Sequence, residues 1–185
     1  MQNAKRKRNT ENSIKEAFLD LKRKKILSEI TVSEICSKAE ISRPTFYQHY
    51  SNTAELLESI LKDICKLCDK ASSIHCAVDR GGTVGQRYPL CQMVRERREY
   101  EGIFMDESLT EKLIETLYNN NVAPDGEGLS RDIQRSRDKL FLFFLANGCL
   151  AVARKTRDLP EDDWHKVRQS LHQILSGMLT VADIP

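Results

Sequence analysis

Cys65 and Cys68 stand three residues apart, with His75 and Cys76 following, a set of soft ligands suited to zinc or to thiol redox chemistry. The same spacing is i and i+3 on a helix, and both cysteines fall within an apolar stripe, where a free buried thiol is the ordinary occupant. Structural zinc sites place a cysteine pair in a turn with a second pair elsewhere, so no metal ligand is assigned. A helical thiol or metal protein using Cys65, Cys68 and His75 stands as the alternative reading. A second grouping, Arg43, Thr45, Tyr47, Gln48 and His49, has different chemistry. Arginine binds guanine bidentately, glutamine pairs with adenine, and hydroxyls hold phosphate. A third is the run Lys5, Arg6, Lys7 and Arg8, which alone reads as a solvated tail or a non-specific phosphate or minor-groove arm. GGTVGQ at 81–86 lacks the glycine-lysine-serine or threonine ending of a phosphate loop. His165 and His172 bring no nucleophile or orienting group with them, so no catalytic set is assigned, the chain is not read as an enzyme, and no cofactor is implied.

The elements that position the second grouping are helical. Ile14, Ala17, Phe18 and Leu21 fall on one face of a helix expected from about Glu11 to Leu27, with Thr10 as its N-cap. Thr31 with Glu34 three residues on makes a capping box, and Val32, Ile35, Cys36 and Ala39 repeat the spacing over a short second helix. Ser42 caps a third short helix that tolerates Pro44 in its first turn and buries Phe46 and Tyr50. Two short helices joined by a turn of about four residues, with a supporting helix before them, form a helix-turn-helix whose second helix enters a DNA major groove. Without the contact residues, three short amphipathic helices would be merely a bundle.

Downstream, Leu57, Ile60, Leu61, Ile64, Leu67, Cys68 and Ala71 mark a long helix from about Thr53 to Ile74. Further helices are expected near 86–98, 107–119, 130–156 and 160–179. No segment alternates with period two, so the fold is all-α with about nine helices. The expected organisation is a helix-turn-helix domain over 1–62 and a helical regulatory and dimerisation domain over 63–185.

The chain has 185 residues, 29 basic and 27 acidic, with 40% apolar content, which supports a real core and excludes wholesale disorder. Charge is distributed unevenly: residues 1–61 hold 11 basic and 8 acidic side chains, and residues 64–129 hold 8 and 11. A polyanion is therefore handled by the N-terminal third. The longest apolar run, LFLFFLANG at 140–148, already contains Asn147, far short of the roughly 20 residues a membrane span needs. The basic N-terminus is followed by no apolar stretch, so it is not a secretory signal, and a cytoplasmic location with no membrane partner is expected. The six cysteines lack the spacing of a disulfide framework and are read as reduced.

TVSEICSKAEISRPTFYQHYSNTAELLESIL resembles the N-terminal helix-turn-helix of the TetR family of bacterial transcriptional regulators, over roughly residues 10–61. The linked positions are Thr31, Val32, Ile35, Ala39, Ile41, Ser42, Thr45, Phe46, Tyr47, His49, Tyr50, Leu56 and Leu57. Residues 139–175 are also similar to the family's last two helices. The resemblance implies a homodimer that binds a palindromic double-stranded DNA operator, a repressor in the first instance. Its C-terminal domain dimerises and often receives a small-molecule effector. Arg43, Thr45, Tyr47, Gln48 and His49 would make the DNA contacts, with Thr31, Thr53 and the basic arm positioning the backbone. Three positions depart from the family pattern: Cys36 replaces alanine, Glu40 replaces glycine, and Thr53 replaces a phosphate-contacting lysine. Thr53 and Glu40 motivate a further alternative, an interaction module that has lost operator binding. Candidate ligand-pocket residues are Cys68, Met93, Tyr100, Phe104, Leu117, Tyr118, Phe141 and Asn147, which mix apolar bulk with a few polar handles. Leu140, Phe143, Phe144, Ala151, Val167, Leu171, Ile174, Leu175 and Met178, on the last two helices, are candidates for an intersubunit four-helix bundle.

Overall fold

In the computed structural model, residues 2–67, 90–121 and 129–182 are described. Among them are nine α-helices and no strand: α1 Gln2–Lys22, α2 Val32–Lys38, α3 Arg43–Tyr47, α4 Thr53–Leu67, α5 Leu90–Glu96, α6 Glu101–Phe104, α7 Thr110–Asn121, α8 Leu129–Thr156 and α9 Glu161–Ala182. Short 3-10 turns cover Leu27–Glu29, Arg98–Tyr100 and Glu107–Leu109. The chain divides into two compact units, one of Met1–Ile64 with Arg97–Leu109, the other of Cys65–Glu96 with Thr110–Pro185.

In the first unit α1 begins nine residues earlier than the capping argument expects, so Thr10 lies inside the helix rather than at its cap. The stretch before it holds alanine, lysine and arginine and no glycine or proline, and a helix nucleated by a buried face propagates through such residues at little cost. That face is Ile14, Ala17, Phe18 and Leu19, all buried. At the other end α1 stops at Lys22 instead of Leu27. The last amides fold back in a turn, Lys24 N–H onto the Leu21 carbonyl at 2.9 Å and Lys25 N–H onto the same oxygen at 3.0 Å.

The capping box expected at Thr31 is present: the Glu34 amide donates to Thr31 Oγ1 at 3.3 Å and the Thr31 amide to Glu34 Oε2 at 3.0 Å. α2 ends in a Schellman motif, with Ile41 N–H on the Cys36 carbonyl at 3.0 Å and Glu40 N–H on the Ser37 carbonyl at 3.4 Å. Glu40 is the left-handed residue of that motif, at φ 54. Ser42 caps α3 by accepting from the Thr45 amide at 3.2 Å, with Pro44 in the first turn. At the start of α4, Asn52 Oδ1 accepts from the Glu55 amide at 2.9 Å, and Glu55 in turn accepts from Ser51.

Residues 97–109, expected to belong to the C-terminal domain, complete this first unit. Lys22, only 4% exposed at its side chain, pairs with Asp106 at 2.7 Å. The Arg23 guanidinium donates to the Arg98 carbonyl at 2.6 Å. A Cβ on Gly102 would lie 2.8 Å from backbone atoms of Lys22 and Arg23, so only glycine permits this approach of α6 to α1.

In the second unit α8 packs against α5 and α7; Leu145, Ala146, Leu150 and Ala153 of α8 are buried, as are Met93 and Val94 of α5 and Leu113 and Leu117 of α7. Arg95 satisfies the end of α8, donating to the carbonyls of Thr156 at 2.7 Å, Arg157 at 2.9 Å and Leu159 at 2.9 Å. Its guanidinium lies 5.0 Å from the ring centre of Trp164, whose Nε1 donates to Gln92 at 3.0 Å. These contacts fix the start of α9, where Glu161, Asp162 and Asp163 occupy the first turn as expected.

Candidate nucleic-acid interface

α3 is five residues long, and its orientation is set by the buried Phe46 on it and by the buried Tyr50 just past its end. Phe46 is fully buried and Tyr50 nearly so, their ring centres 6.0 Å apart. The opposite side of α3 presents Arg43, Tyr47 and Gln48 to solvent, with Thr45 and His49 half-buried beside them. Tyr47 is 50% exposed and packs edge-on against Phe46 at 5.6 Å, which holds its ring at the surface. The five contact residues named from sequence are thus brought together on one short stretch.

A polar cluster ties this stretch to its supports. Lys15 on α1 reaches Glu11 at 2.8 Å and Asp63 on α4 at 2.6 Å. The Tyr50 hydroxyl donates to Glu11 at 3.3 Å and meets the Ser59 hydroxyl on α4 at 3.5 Å. Burial pulls the Lys15 ammonium down, but the hydrogen bonds to Asp63 and Glu11 outweigh it and hold the cation well above its usual range. Glu11 is correspondingly lowered by the Lys15 hydrogen bond. The Tyr50 phenol is raised, chiefly by burial.

Thr31 caps α2, and its hydroxyl donates to Glu34 Oε2 at 2.9 Å. That single proton is therefore committed, which removes the donor a phosphate contact would use. The hydrogen bond from Lys25, with those from Thr31, lowers Glu34 to about 2. Thr53 is half-buried at the first turn of α4, next to the capping Asn52. The basic run is part of α1 rather than a loose arm, with Lys7 and Arg8 exposed; the side chains of Lys5 and Arg6 lie outside those described.

Lys7 and Thr10 share a groove of about 630 Å³ with Glu40, Ile41, Ser42, Thr45, Gln48 and His49. The groove was not legible from motif matching, because it depends on α1 extending past the expected cap. The absence of glycine and proline from residues 2–13 is the signal that would have found it.

The other groupings disperse. Of the pocket candidates, Tyr100 and Phe104 fall in the first unit and Met93, Leu117 and Tyr118 in the second. Cys68 and the Phe141 side chain lie outside the described residues. Asn147, expected to be a buried amide, is exposed, and its amide donates to the Phe143 carbonyl of its own helix at 2.7 Å. Of the thiol set, Cys68, His75 and Cys76 lie outside the described residues, while burial pushes the Cys65 thiol up to about 12, leaving it protonated at neutral pH. Among the described residues no group of three or more His, Cys, Asp or Glu is placed to hold a metal, and no helix is long and apolar enough to cross a membrane. On α8 and α9, Leu140, Phe144 and Ile174 are exposed, as is Ala151, and Val167 and Leu171 are half-buried; the side chains of Leu175 and Met178 lie outside those described.

Comparison with known proteins meets this geometry at the same segment. Residues 27–60 match the family model for bacterial regulatory proteins of the tetR family. A 57-residue stretch is 42% identical to the uncharacterized HTH-type transcriptional regulator YxbF of Bacillus subtilis (strain 168), covering 30% of this chain and 15% of that relative. The chain thus spans a small part of the relative's length. Among solved structures, the dihydroxyacetone kinase operon activator DhaS superposes at a TM-score of 0.49 with 20% identity, over 93% of this chain and 97% of that one. In sequence and in the capped, aromatic-anchored geometry of α2 and α3, residues 27–60 are those of a helix-turn-helix similar to that of the bacterial regulatory proteins of the tetR family.

Proposed function

We propose that the protein is a sequence-specific DNA-binding transcriptional regulator of the cytoplasm that acts as a homodimer on a two-fold operator, as a repressor released by a small-molecule effector. The observation that carries this reading is α3: Phe46 and Tyr50 are sunk in the core while Arg43, Tyr47 and Gln48 stand in solvent on a capped helix. Buried aromatics make the helix a rigid platform, and the exposed side chains are those whose donors match base edges and phosphates. Arg43 has the bidentate fork for guanine, worth about 1–3 kcal/mol of discrimination. Tyr47 is assigned to phosphate, with Thr45, Gln48 and His49 beside it and Thr53 at the edge.

Dimerisation is supported by the apolar face of α8 and α9, where Leu140 is 71%, Phe144 62% and Ile174 59% exposed. Large apolar side chains left in water on two long helices are what a four-helix interface would cover. The two recognition helices of a dimer would then sit about 34–36 Å apart, one turn of DNA. Release requires an effector that prefers the non-binding conformation; moving 99:1 to 1:99 takes about 5.5 kcal/mol of preference.

The test is selection from a random duplex library at physiological salt, with an Arg43→Ala, Tyr47→Ala double variant alongside. Enrichment of a palindromic site by the wild type alone supports the reading. A folded dimeric wild type that enriches no site overturns it and leaves the fold serving partner interaction.

A further inference from the structure

We propose that Glu11 of α1 and the Tyr50 hydroxyl are positioning residues for DNA reading: together they set the orientation of the His49 imidazole just past the end of α3. This rests on the duplex-binding reading above, in which His49 is a contact residue. Tyr50 lies three residues beyond the end of α3 and is 5% exposed. Its ring centre is 6.4 Å from that of His49, with the ring planes 36° apart. The His49 and Tyr50 amides both donate to the Phe46 carbonyl at 2.9 Å, so a single acceptor ties the backbone of the two residues to the helix. The half-buried imidazole therefore packs against a ring whose own placement decides where it can point.

Burial of Phe46 and Tyr50 holds this end of α3 against the core, but apolar burial has no preferred direction. The phenol supplies one, because a hydrogen bond weakens steeply away from its line. Tyr50 Oη donates to Glu11 Oε1 at 3.3 Å. The same oxygen accepts from Lys15 Nζ at 2.8 Å, and Lys15 Nζ also donates to Asp63 Oδ2 of α4 at 2.6 Å. The Lys15 side chain is 14% exposed, so the carboxylate that receives the phenol is itself tied to a shielded cation and through it to α4. Ring packing at position 50 needs no hydroxyl; the tie from the reading segment to α1 does.

The experiment measures affinity of the full-length protein for its selected operator, at a temperature below the thermal melt of every variant, for wild type, Tyr50→Phe, Glu11→Gln, Glu11→Ala, and His49→Ala with and without Tyr50→Phe. Tyr50→Phe keeps the buried ring and should weaken binding roughly 10-fold, about 3-fold for each half-site of the proposed dimer. Glu11→Gln and Glu11→Ala delete the same charge, but only the glutamine keeps an oxygen that accepts from the phenol. Glu11→Ala should therefore bind about 10-fold more weakly than Glu11→Gln. In the His49→Ala background Tyr50→Phe should change affinity by less than about 2-fold, because the ring it positions is gone, whereas a hydroxyl with only a structural role would act alike in both backgrounds. A Tyr50→Phe affinity equal to wild type, a loss undiminished by His49→Ala, or equal binding by the two Glu11 variants overturns the proposal and leaves the regulator reading standing. A wild type that binds no duplex overturns both.

Discussion

Glu40 holds the α2–α3 turn at φ 54, where its Cβ crowds the backbone and glycine would not. Replacing it with glycine should stabilise the helix-turn-helix unit by about 0.5–1 kcal/mol, whereas Glu40→Gln, which keeps the β-carbon, should leave stability unchanged; urea denaturation distinguishes the two. The family glycine at this position made the left-handed turn legible in sequence, and the strain at Glu40 follows from its side chain alone. Thr31 illustrates the opposite case. The spacing of Thr31 and Glu34 specifies the cap, yet only coordinates reveal that the hydroxyl proton is already given to Glu34. Thr31→Ala should therefore cost about 1 kcal/mol of stability and leave the salt dependence of DNA binding unchanged. Glu34 carries a pH signature. Its pKa is lowered from 4.5 to about 2 by Lys25 and Thr31, so its contribution is present above 4.5 and is lost as pH falls toward 2. Thermal melts at pH 7 and pH 3 should show the gap between wild type and Glu34→Gln shrinking with acid.

At the scale of elements, the short segment 97–109 is the clearest instance of a structure that sequence periodicity does not contain. α6 has four residues and the flanking 3-10 turns three each, too short for a 3.6-residue repeat to register. Its attachment depends on a buried cation and on a glycine that touches backbone. Lys22→Met should cost about 3 kcal/mol, because Asp106 keeps its hydrogen bonds from Ser108 but loses the Lys22 cation while its carboxylate stays largely buried, 17% exposed. The double variant Lys22→Met, Asp106→Leu should recover part of that loss. Gly102→Ala should cost about 1–3 kcal/mol, since the atoms its Cβ meets are main chain and cannot rotate away. Both are read from urea denaturation midpoints. The longer helices were legible because an apolar stripe sustained over several turns has few alternatives. Their ends were not: α1 outran its expected cap in one direction and stopped short in the other, since a threonine inside a good helical run competes poorly with continued propagation.

Across the whole molecule the apolar face of α8 and α9 yields the prediction of greatest consequence. On the proposed dimer, Phe144→Glu should convert dimer to monomer in sedimentation, with the dissociation constant raised roughly 30-fold or more, and reduce operator affinity in parallel. An unchanged sedimentation profile would place the subunit contact elsewhere. The sequence by itself determined the all-α class, the helix-turn-helix with its caps and aromatic anchors, and the grouping of Arg43, Thr45, Tyr47, Gln48 and His49 on and just after α3. Each of these is encoded locally, within a few residues or one helical repeat, where propensity, capping and amphipathic spacing act on neighbours in the chain. Tertiary structure alone decided that 97–109 joins the helix-turn-helix unit, that Asn147 faces outward, and that Lys7 shares a groove with Gln48 and His49. Those facts rest on contacts between residues tens of positions apart, and burial of a distant partner leaves no mark on the local pattern of either segment.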